Sequence, residues 1–362
     1  MKLTGIIGLL LPLLALVYVF WRTWRILPLP VGWKVAVLAV MLVLFVLIPV
    51  CMAPGSLDSL SLPVASLVYK LSLSWVFVLI YLFIAFVVID ILGLFHVAPP
   101  SFRVHSLVGT ATVAGVLFLV FLGGNLHYHH KHREAMAVKT SKPLAKPLKV
   151  VMLSDIHLGY HIRRGEFSKW VDKINAENPD LVLVAGDIID RSVEPLLKDG
   201  QAQEFHRIKA PIYGCPGNHE YYAGIDASQD FYRLAGVTML RDSAVEVKGV
   251  NIVGRDDKTN PRRKSLAELM KGVDRSKFTF LLDHQPFHLE EAEQAEVDFQ
   301  FSGHTHYGQV WPVSWITDAI YEDAFGPLTK GATQYYVSSG IGIWGGKFRI
   351  GTRSEYVVLT VG

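Results

Sequence analysis

Five short turns of this chain carry side chains that bind divalent metals, and each turn follows an apolar run. Leu148 to Leu153 stops at Ser154-Asp155-Ile156-His157. Side chains alternate along an extended chain, so Asp155 and His157 point the same way while Ile156 turns to the core. One carboxylate oxygen and one imidazole nitrogen facing a common point suit a divalent transition metal. Asp180 to Ala185 runs into Gly186-Asp187, and Pro211 to Cys215 runs into Pro216-Gly217-Asn218-His219-Glu220. Phe278 to Leu282 ends at Asp283-His284, and Phe299 to Ser302 ends at Gly303-His304-Thr305-His306, where the two imidazoles again share a side. Singly, each turn has an ordinary structural reading, as an Asp bonding its own backbone, a Gly-Asn turn or a satisfied histidine. Five in this order, each at a strand end, point to one site, because sites in α/β sheets gather beyond the carboxyl ends of strands. Gly186, Gly217 and Gly303 lack a Cβ, so the backbone there can bend sharply and approach a ligand closely.

The elements that position these turns are legible around them. Gly165 to Asn178 places Phe167, Trp170, Val171 and Ile174 at helical spacing. Residues 244 to 254 carry a two-residue turn at Lys248-Gly249 and predict a hairpin. Strands are expected near 334 to 338 and 355 to 361.

The first third of the chain is different. Hydrophobic residues make up 51% of the 362, and the excess lies before residue 125. Residues 3 to 21, 35 to 52, 71 to 92 and 104 to 122 each approach the roughly 20 residues that a helix needs to cross a bilayer. They predict a four-helix transmembrane domain over 1–125. The first run ends in Phe20-Trp21-Arg22 rather than a small-residue cleavage site, so it is read as a retained anchor. Trp21, Trp24, Trp33 and Trp75 lie near span ends, as in an interfacial aromatic belt. An even number of spans puts both chain ends on one side. Lys2, Lys70, Lys131, Arg133, Lys139 and Lys142 on that side outnumber Arg22, Arg25, Lys34 and Arg103 on the other, favouring a cytoplasmic C-terminal domain. Asp90, inside the third apolar run and close to its end, is either a functional group or a carboxylate reaching for the interface. His127 to His132 is read as a solvated segment facing headgroups, within a juxtamembrane linker over 126–147 that contains Pro143 and Pro147. The net charge of +3 includes no charge run that would call for nucleic acid, and two cysteines, Cys51 and Cys215, do not make a disulfide framework.

The ordered series Asp155-x-His157, Gly186-Asp187, Gly217-Asn218-His219-Glu220, His284 and Gly303-His304-x-His306 resembles the calcineurin-like metallophosphoesterase superfamily over residues 148–362. The closing segment, Tyr336 to Gly342 with Arg349-Ile350-Gly351, resembles its membrane-attached bacterial branch, in which the position of Ser354 is often proline. The resemblance implies a two-sheet β sandwich flanked by helices, so the chain as a whole is expected to be α/β with an N-terminal four-helix membrane region. It implies Asp155, His157 and His306 on one metal, Asn218, His284 and His304 on a second, Asp187 bridging them, and His219 as the acid beside the leaving oxygen. Two cations about 4 Å apart lower the pKa of a bridging water and grip phosphate oxygens. The mixed oxygen and nitrogen donors suit Mn²⁺, Fe or Zn²⁺. Arg163, Arg164 and Arg255 are candidate contacts to phosphate or headgroup, and Glu220 and Asp283 are candidate orienters of the adjoining histidines. Val310 to Val313 and Trp315-Ile316 read either as a lip at the bilayer or as core.

The expected function is a membrane-anchored, dinuclear-metal phosphohydrolase. It would cleave a phosphoester or pyrophosphate of a lipid-linked substrate, of phospholipid-headgroup or UDP-2,3-diacylglucosamine type, at the bacterial inner membrane. Hydrolysis of a soluble nucleotide or phosphoester is the alternative within the enzymes. A membrane sensor with a structural metal site is the alternative outside them. The partners are the bilayer and the substrate; the sequence does not speak to the number of subunits.

Overall fold

The computed structural model describes residues 3–362, with side chains from Leu11 onward. The chain divides into two compact units. One comprises the chain up to Met52 together with Leu67–Gly124, and the other comprises Ala53–Ser66 together with Asn125–Gly362.

The first unit is helical. Among the described residues, three helices are long and apolar enough to cross a bilayer: Val31–Met52, Leu62–Leu94 and Leu107–His129. The expected span at 3 to 21 lies in the helix Leu3–Ile26, whose opening side chains are outside the described residues. Leu42, Leu67, Val88 and Leu119 face outward, as lipid-facing side chains do, while Val19, Met41, Phe86 and Val113 pack inward. Asp90 gains partners that the sequence did not name. Arg22 lies 3.0 Å from its carboxylate and the Tyr18 hydroxyl donates to it at 2.6 Å, so the charge is paired within the unit while its side chain stays about a third exposed.

The second unit contains twelve strands in two six-stranded sheets. In chain order they are β1 (Lys131–Val138), β2 (Leu148–Leu153), β3 (Leu181–Ala185), β4 (Ile212–Cys215), β5 (Val237–Met239), β6 (Ser243–Val247), β7 (Val250–Gly254), β8 (Phe278–Leu282), β9 (Phe299–Ser302), β10 (Gly326–Lys330), β11 (Thr333–Val337) and β12 (Ser354–Val361). The first sheet has the order β1-β12-β2-β3-β4-β5 and the second β10-β11-β9-β8-β7-β6. Neighbours from β2 to β5, and β7, β8, β9 and β11, run parallel. The period of two decides which residues fill which layer. Val150, Met152, Leu181 and Leu183 join Ile252, Phe280, Leu282 and Phe301 in the core between the sheets. Val151, Leu153, Val182 and Val184 face the other way, onto Phe167, Trp170, Val171 and Ile174 of the helix Arg164–Ala176. This is the expected sandwich with helices outside. The hairpin turn also forms where expected, with Lys248 and Gly249 both at positive φ (51° and 82°), as a tight two-residue connection requires.

The linker expectation is corrected in part. β1 lies inside 126–147 and adds a strand to β12, from Lys131 opposite Ser354 to Val138 opposite Val361. His127, His129 and His130 are exposed, but Tyr128 between them is fully buried and donates to Glu166. Lys131 is buried with its ammonium 3.5 Å from the Tyr128 ring centroid and 4.6 Å from that of Trp170. A chain reading weighted by charge misses such a strand, because one face of it is polar.

Glu177 fastens this edge. It takes two hydrogen bonds from Arg133 of β1 (2.7 and 2.9 Å), pairs with Lys149 of β2 at 3.3 Å, and accepts from the Tyr356 hydroxyl of β12 at 3.2 Å. The Arg133 hydrogen bonds hold its carboxyl down at about 2, against an ordinary value of 4.5. A carboxyl lowered in the fold stabilises it above its ordinary pKa and loses that contribution as pH falls toward the lowered one. Glu177→Gln is therefore expected to lower the melting temperature at pH 7 by about 2 °C, a modest figure because the pair is partly solvated. The gap from wild type should narrow below pH 4.5 in a series of thermal melts. A gap of equal size at pH 7 and pH 3 would show that charge is not what fastens β1.

Candidate metal centre

Every candidate ligand stands just beyond the carboxyl end of a parallel strand: Asp155 and His157 after β2, Asp187 after β3, Asn218 after β4, His284 after β8, His304 and His306 after β9. Placing both sheets' strand ends side by side brings these turns together. His157 Nε2 lies 3.0 Å from His306 Nε2, and His306 Nε2 lies 3.5 Å from Asp155 Oδ1. In a second group, Asn218 Oδ1 lies 2.8 Å from His304 Nδ1 and 3.2 Å from His284 Nε2. Asp187 Oδ2 stands between the groups, 3.1 Å from His284 Nε2 and 3.7 Å from His157 Nε2. Asp155, His157 and His306, and likewise Asp187, His284 and His304, present donor atoms within 4.8 Å of one another.

The backbone is bent to achieve this. Asp155, His157, Asp187, His304 and His306 all have positive φ, between 48° and 71°, a region that residues other than glycine seldom occupy. Strain of that kind, about 1 kcal/mol or more per residue, persists where surrounding contacts over-determine it, and it collects at functional sites. The glycines singled out from the sequence act in two ways. Gly186 supplies a turn at φ +73°, whereas a Cβ on Gly217 would stand 2.2 Å from Asp187 Oδ1 and one on Gly303 2.3 Å from Asp155 Oδ2.

The contacts that over-determine the turns come from two buried side chains. Glu220 accepts from the backbone N–H of Gly217 (2.7 Å), Asp187 (3.0 Å) and Ile189 (3.1 Å), so one carboxylate joins the turns after β3 and β4. Arg349 donates to the carbonyls of His306 (2.8 Å), Ser339, Gly340 and Gly342, and its Nε donates to Ser354 Oγ at 3.2 Å. Ser354, where the resembled branch often has proline, thus contributes a hydroxyl to the clamp. The expectation that Glu220 and Asp283 orient histidine rings is corrected. Glu220 holds backbone, and Asp283 is taken up by Arg255 and Arg263, each at 3.2 Å. His284 is oriented by the Ala185 carbonyl, 2.8 Å from Nδ1, which leaves Nε2 toward Asp187 and Asn218.

His219 stands beside the first group, its ring 4.5 Å from that of His157 at 83°. Its N–H donates to Asp187 Oδ1 at 2.9 Å, and its Nδ1 lies 2.6 Å from the Asp190 carbonyl and 3.1 Å from Asp190 Oδ1. Asp190 Oδ1 is also 3.5 Å from His157 Nδ1. Burial would raise the Asp190 carboxyl, but the adjoining imidazoles of His157 and His219 outweigh it and hold the group far below the carboxylate range. For His219 burial acts downward, and the charges of Asp187 and Asp190 reverse it, so the imidazole is raised. Burial and the neighbouring His284 push His304 down to about 3, keeping it neutral and able to ligate. The donor set fits divalent cations: buried, mixed oxygen and nitrogen, with His306 Nδ1 lacking any hydrogen-bond partner among the described residues.

The three arginines expected at the phosphate are engaged elsewhere. Arg163 makes two bonds to Asp199 (2.8 and 2.6 Å), Arg164 pairs with Glu204 at 2.9 Å, and buried Arg255 sits on Asp283 and Glu291. Nearness in sequence to a metal turn misled because these side chains found carboxylates on other elements. Sequence reasoning missed Asp190, Arg191 and Arg349. Arg191 lies 4.8 Å over the Tyr222 ring, Tyr222 packs 5.1 Å from His219, and the Arg191 Nε has no hydrogen-bond partner among the described residues. The signal for the first two was present in Asp187-Ile188-Ile189-Asp190-Arg191, where a second acid and a base follow the turn.

A sequence profile of the calcineurin-like phosphoesterases matches residues 148–308. An uncharacterized metallophosphoesterase of Helicobacter pylori is 33% identical over 226 residues, covering 60% of this chain and 60% of that protein. The chain thus spans about three fifths of that relative's length. An uncharacterized metallophosphoesterase of Campylobacter jejuni is 32% identical over 254 residues, covering 68% of each chain. A transmembrane protein with metallophosphoesterase domain from Danio rerio is 29% identical, covering 58% of this chain and 52% of that one.

The geometry sets an expectation for the apo and loaded protein. Adding Mn²⁺ to metal-stripped full-length protein should raise its melting temperature by about 5 °C or more and release protons. A Cβ on Gly186 would stand 2.6 Å from His284 Nδ1 and 2.8 Å from Gly217 N, so Gly186→Ala should abolish both responses. Thermal melts and titration in weak buffer check this. Wild-type responses from Gly186→Ala would mean that the turn after β3 does not set the metal site.

Proposed function

Since this chain belongs to the calcineurin-like metallophosphoesterases, we propose that it is a membrane-anchored hydrolase holding two divalent cations and cleaving the phosphoester or pyrophosphate of a lipid-linked substrate. The observation that carries the reading is the pair of donor groups meeting at Asp187. Asp155, His157 and His306 would hold one cation and Asn218, His284 and His304 the other, with Asp187 shared. Mn²⁺, Fe and Zn²⁺ all accept that donor set. Bound there, two cations activate water at neutral pH and neutralise charge on the phosphate oxygens.

The chain's own residues supply the rest. His219 is the acid: Asp190 fixes it through Nδ1, leaving Nε2 to hand a proton to the departing oxygen. Arg191 adds a cation at the Tyr222 side, where it orients the anionic substrate. A lipid-linked substrate is supported by the apolar helices of the same chain, since confinement to one surface raises effective concentration. The lysine and arginine balance favours the cytoplasmic face of a bacterial inner membrane, with residues 1–125 as anchor and 148–362 as catalytic domain.

His219→Ala in the full-length protein should lower turnover of an alkyl phosphoester by about 10²- to 10⁴-fold while both metals remain by elemental analysis. For p-nitrophenyl esters, whose leaving group needs little protonation, the loss should be much smaller. Equal losses for both leaving groups would remove His219 as the acid. Loss of the metals would make it a ligand. Turnover of water-soluble esters with none of lipids in the same nanodisc would retain the hydrolase and remove the lipid substrate.

A further inference from the structure

The helix Val313–Ile320 is turned inside out. A surface helix ordinarily buries its apolar stripe and presents polar residues to water. Here Ser314 is buried and Thr317 bonds its carbonyl at 2.8 Å, while Trp315 is 64% exposed, Ile316 58% and Ile320 57%. Trp311, 41% exposed, extends the stripe by packing edge-on against Trp315 at 5.3 Å. Leaving such side chains in water forgoes roughly 1.5–3 kcal/mol each, so the stripe calls for a partner.

Its place says which partner. The helix starts seven residues after His306 and ends at Tyr321, whose ring lies 6.2 Å from that of His304. With eight residues it is about 12 Å long, so its exposed side chains lie within about that distance of the end that meets the metal centre through Tyr321. Tyr321 packs 4.8 Å from Phe287, and the Lys258 ammonium lies 3.6 Å over Phe287, setting a positive charge at that rim. Exposed tryptophan and isoleucine side chains match the interfacial region of a bilayer, where tryptophan rings are favoured, and exposed Asp318 on the same helix would stay on the water side. A bilayer is also at hand: His130 alone separates the apolar helix Leu107–His129 from β1.

We propose that the Val313–Ile320 helix is an interfacial docking element that seats the rim of the metal centre on the surface of the membrane in which the chain is anchored. The site then draws its substrate from phosphate-bearing lipids presented at that surface. This last step rests on the hydrolase reading; the docking does not.

The test uses full-length protein in nanodiscs of phosphatidylcholine with phosphatidic acid. An environment-sensitive fluorophore is attached at Ile316→Cys, or at exposed Lys209→Cys as control; Cys51 and Cys215 are both buried. Spin-labelled lipid should quench the probe at 316 and leave that at 209 unchanged. The doubly substituted W315E/I316E should lose about tenfold or more of its turnover of phosphatidic acid yet keep its rate on dissolved bis-p-nitrophenyl phosphate. Absence of quenching at 316 overturns the proposal, as does a blue-shifted probe that no spin-labelled lipid reaches, which would place a second copy of the chain on the stripe. Equal loss of both activities overturns it too, by making the helix part of the site's framework. If the wild type turns over neither ester, the hydrolase reading fails, and quenching alone still decides the docking.

Discussion

The carboxylate of Asp187 is the point on which the second unit turns. It faces His284 and His157 from one oxygen and accepts the His219 backbone N–H with the other, so three turns from both sheets are referred to a single side chain. Burial alone would favour its neutral form; the imidazoles of His284 and His219 hold it ionised. An uncompensated charge there would be untenable in a closed interior. Without a metal, the neighbouring imidazole His284 takes up the compensation and is raised far above its ordinary value. With one, cations would assume that task and return His284 to the neutral form that a ligand needs. The cluster is thus coherent in both states, and for the same electrostatic reason.

Crowding these donors requires a backbone that would not hold its shape unaided. Positive φ at five candidate ligands is tolerated because Glu220 and Arg349 tie the turns from behind. Arg349 is wholly buried, and desolvation pulls its pKa down to about 10. Four carbonyls and the nearby carboxylates of Asp155 and Glu355 make that burial tolerable, and the cation in return fixes the His306 carbonyl and the loop at Gly340, whose Cβ would meet Asp155 at 2.7 Å. The sheets supply the rigid frame. These two charged side chains set the final ångström.

How much of this was legible in the sequence follows from the range of each interaction. The strands β2, β3, β4, β8 and β9 announce themselves because an apolar run and the polar turn ending it are contiguous, and their ligands come with them. Period-two alternation also marks which side chains turn to the second sheet. β1 hides because half of its pattern is charged and its partner, β12, lies more than 200 residues on. Arg163 and Arg164 mislead for the converse reason: adjacency in sequence suggested a phosphate, and Asp199 and Glu204 on distant segments captured them. Arg349 stood in the closing motif, but its role as a clamp was not legible, since four of its acceptors are backbone carbonyls brought near only by folding.

The two kinds of apolar surface in this chain obey different rules, and that is why the sequence could not assign Trp311, Trp315 and Ile316. Between the sheets, Val150, Ile252 and Phe280 are excluded from water by other side chains, and shape complementarity decides which residue fits. On the Val313–Ile320 helix Trp315, Ile316 and Ile320 stay mostly exposed, and Ser314 and Thr317 occupy the positions that a core would have taken. Both are apolar runs in the sequence, and the direction in which the helix is turned separates them. The connection is sharply bent, with Tyr307 and Gly308 at φ 47° and 67°, and the Gly308 backbone lies so close to Ser314 that a Cβ there would clash with its nitrogen. The helix thus packs back on the candidate metal turn through buried Ser314, and that leaves Trp315 and Ile316 on the open side.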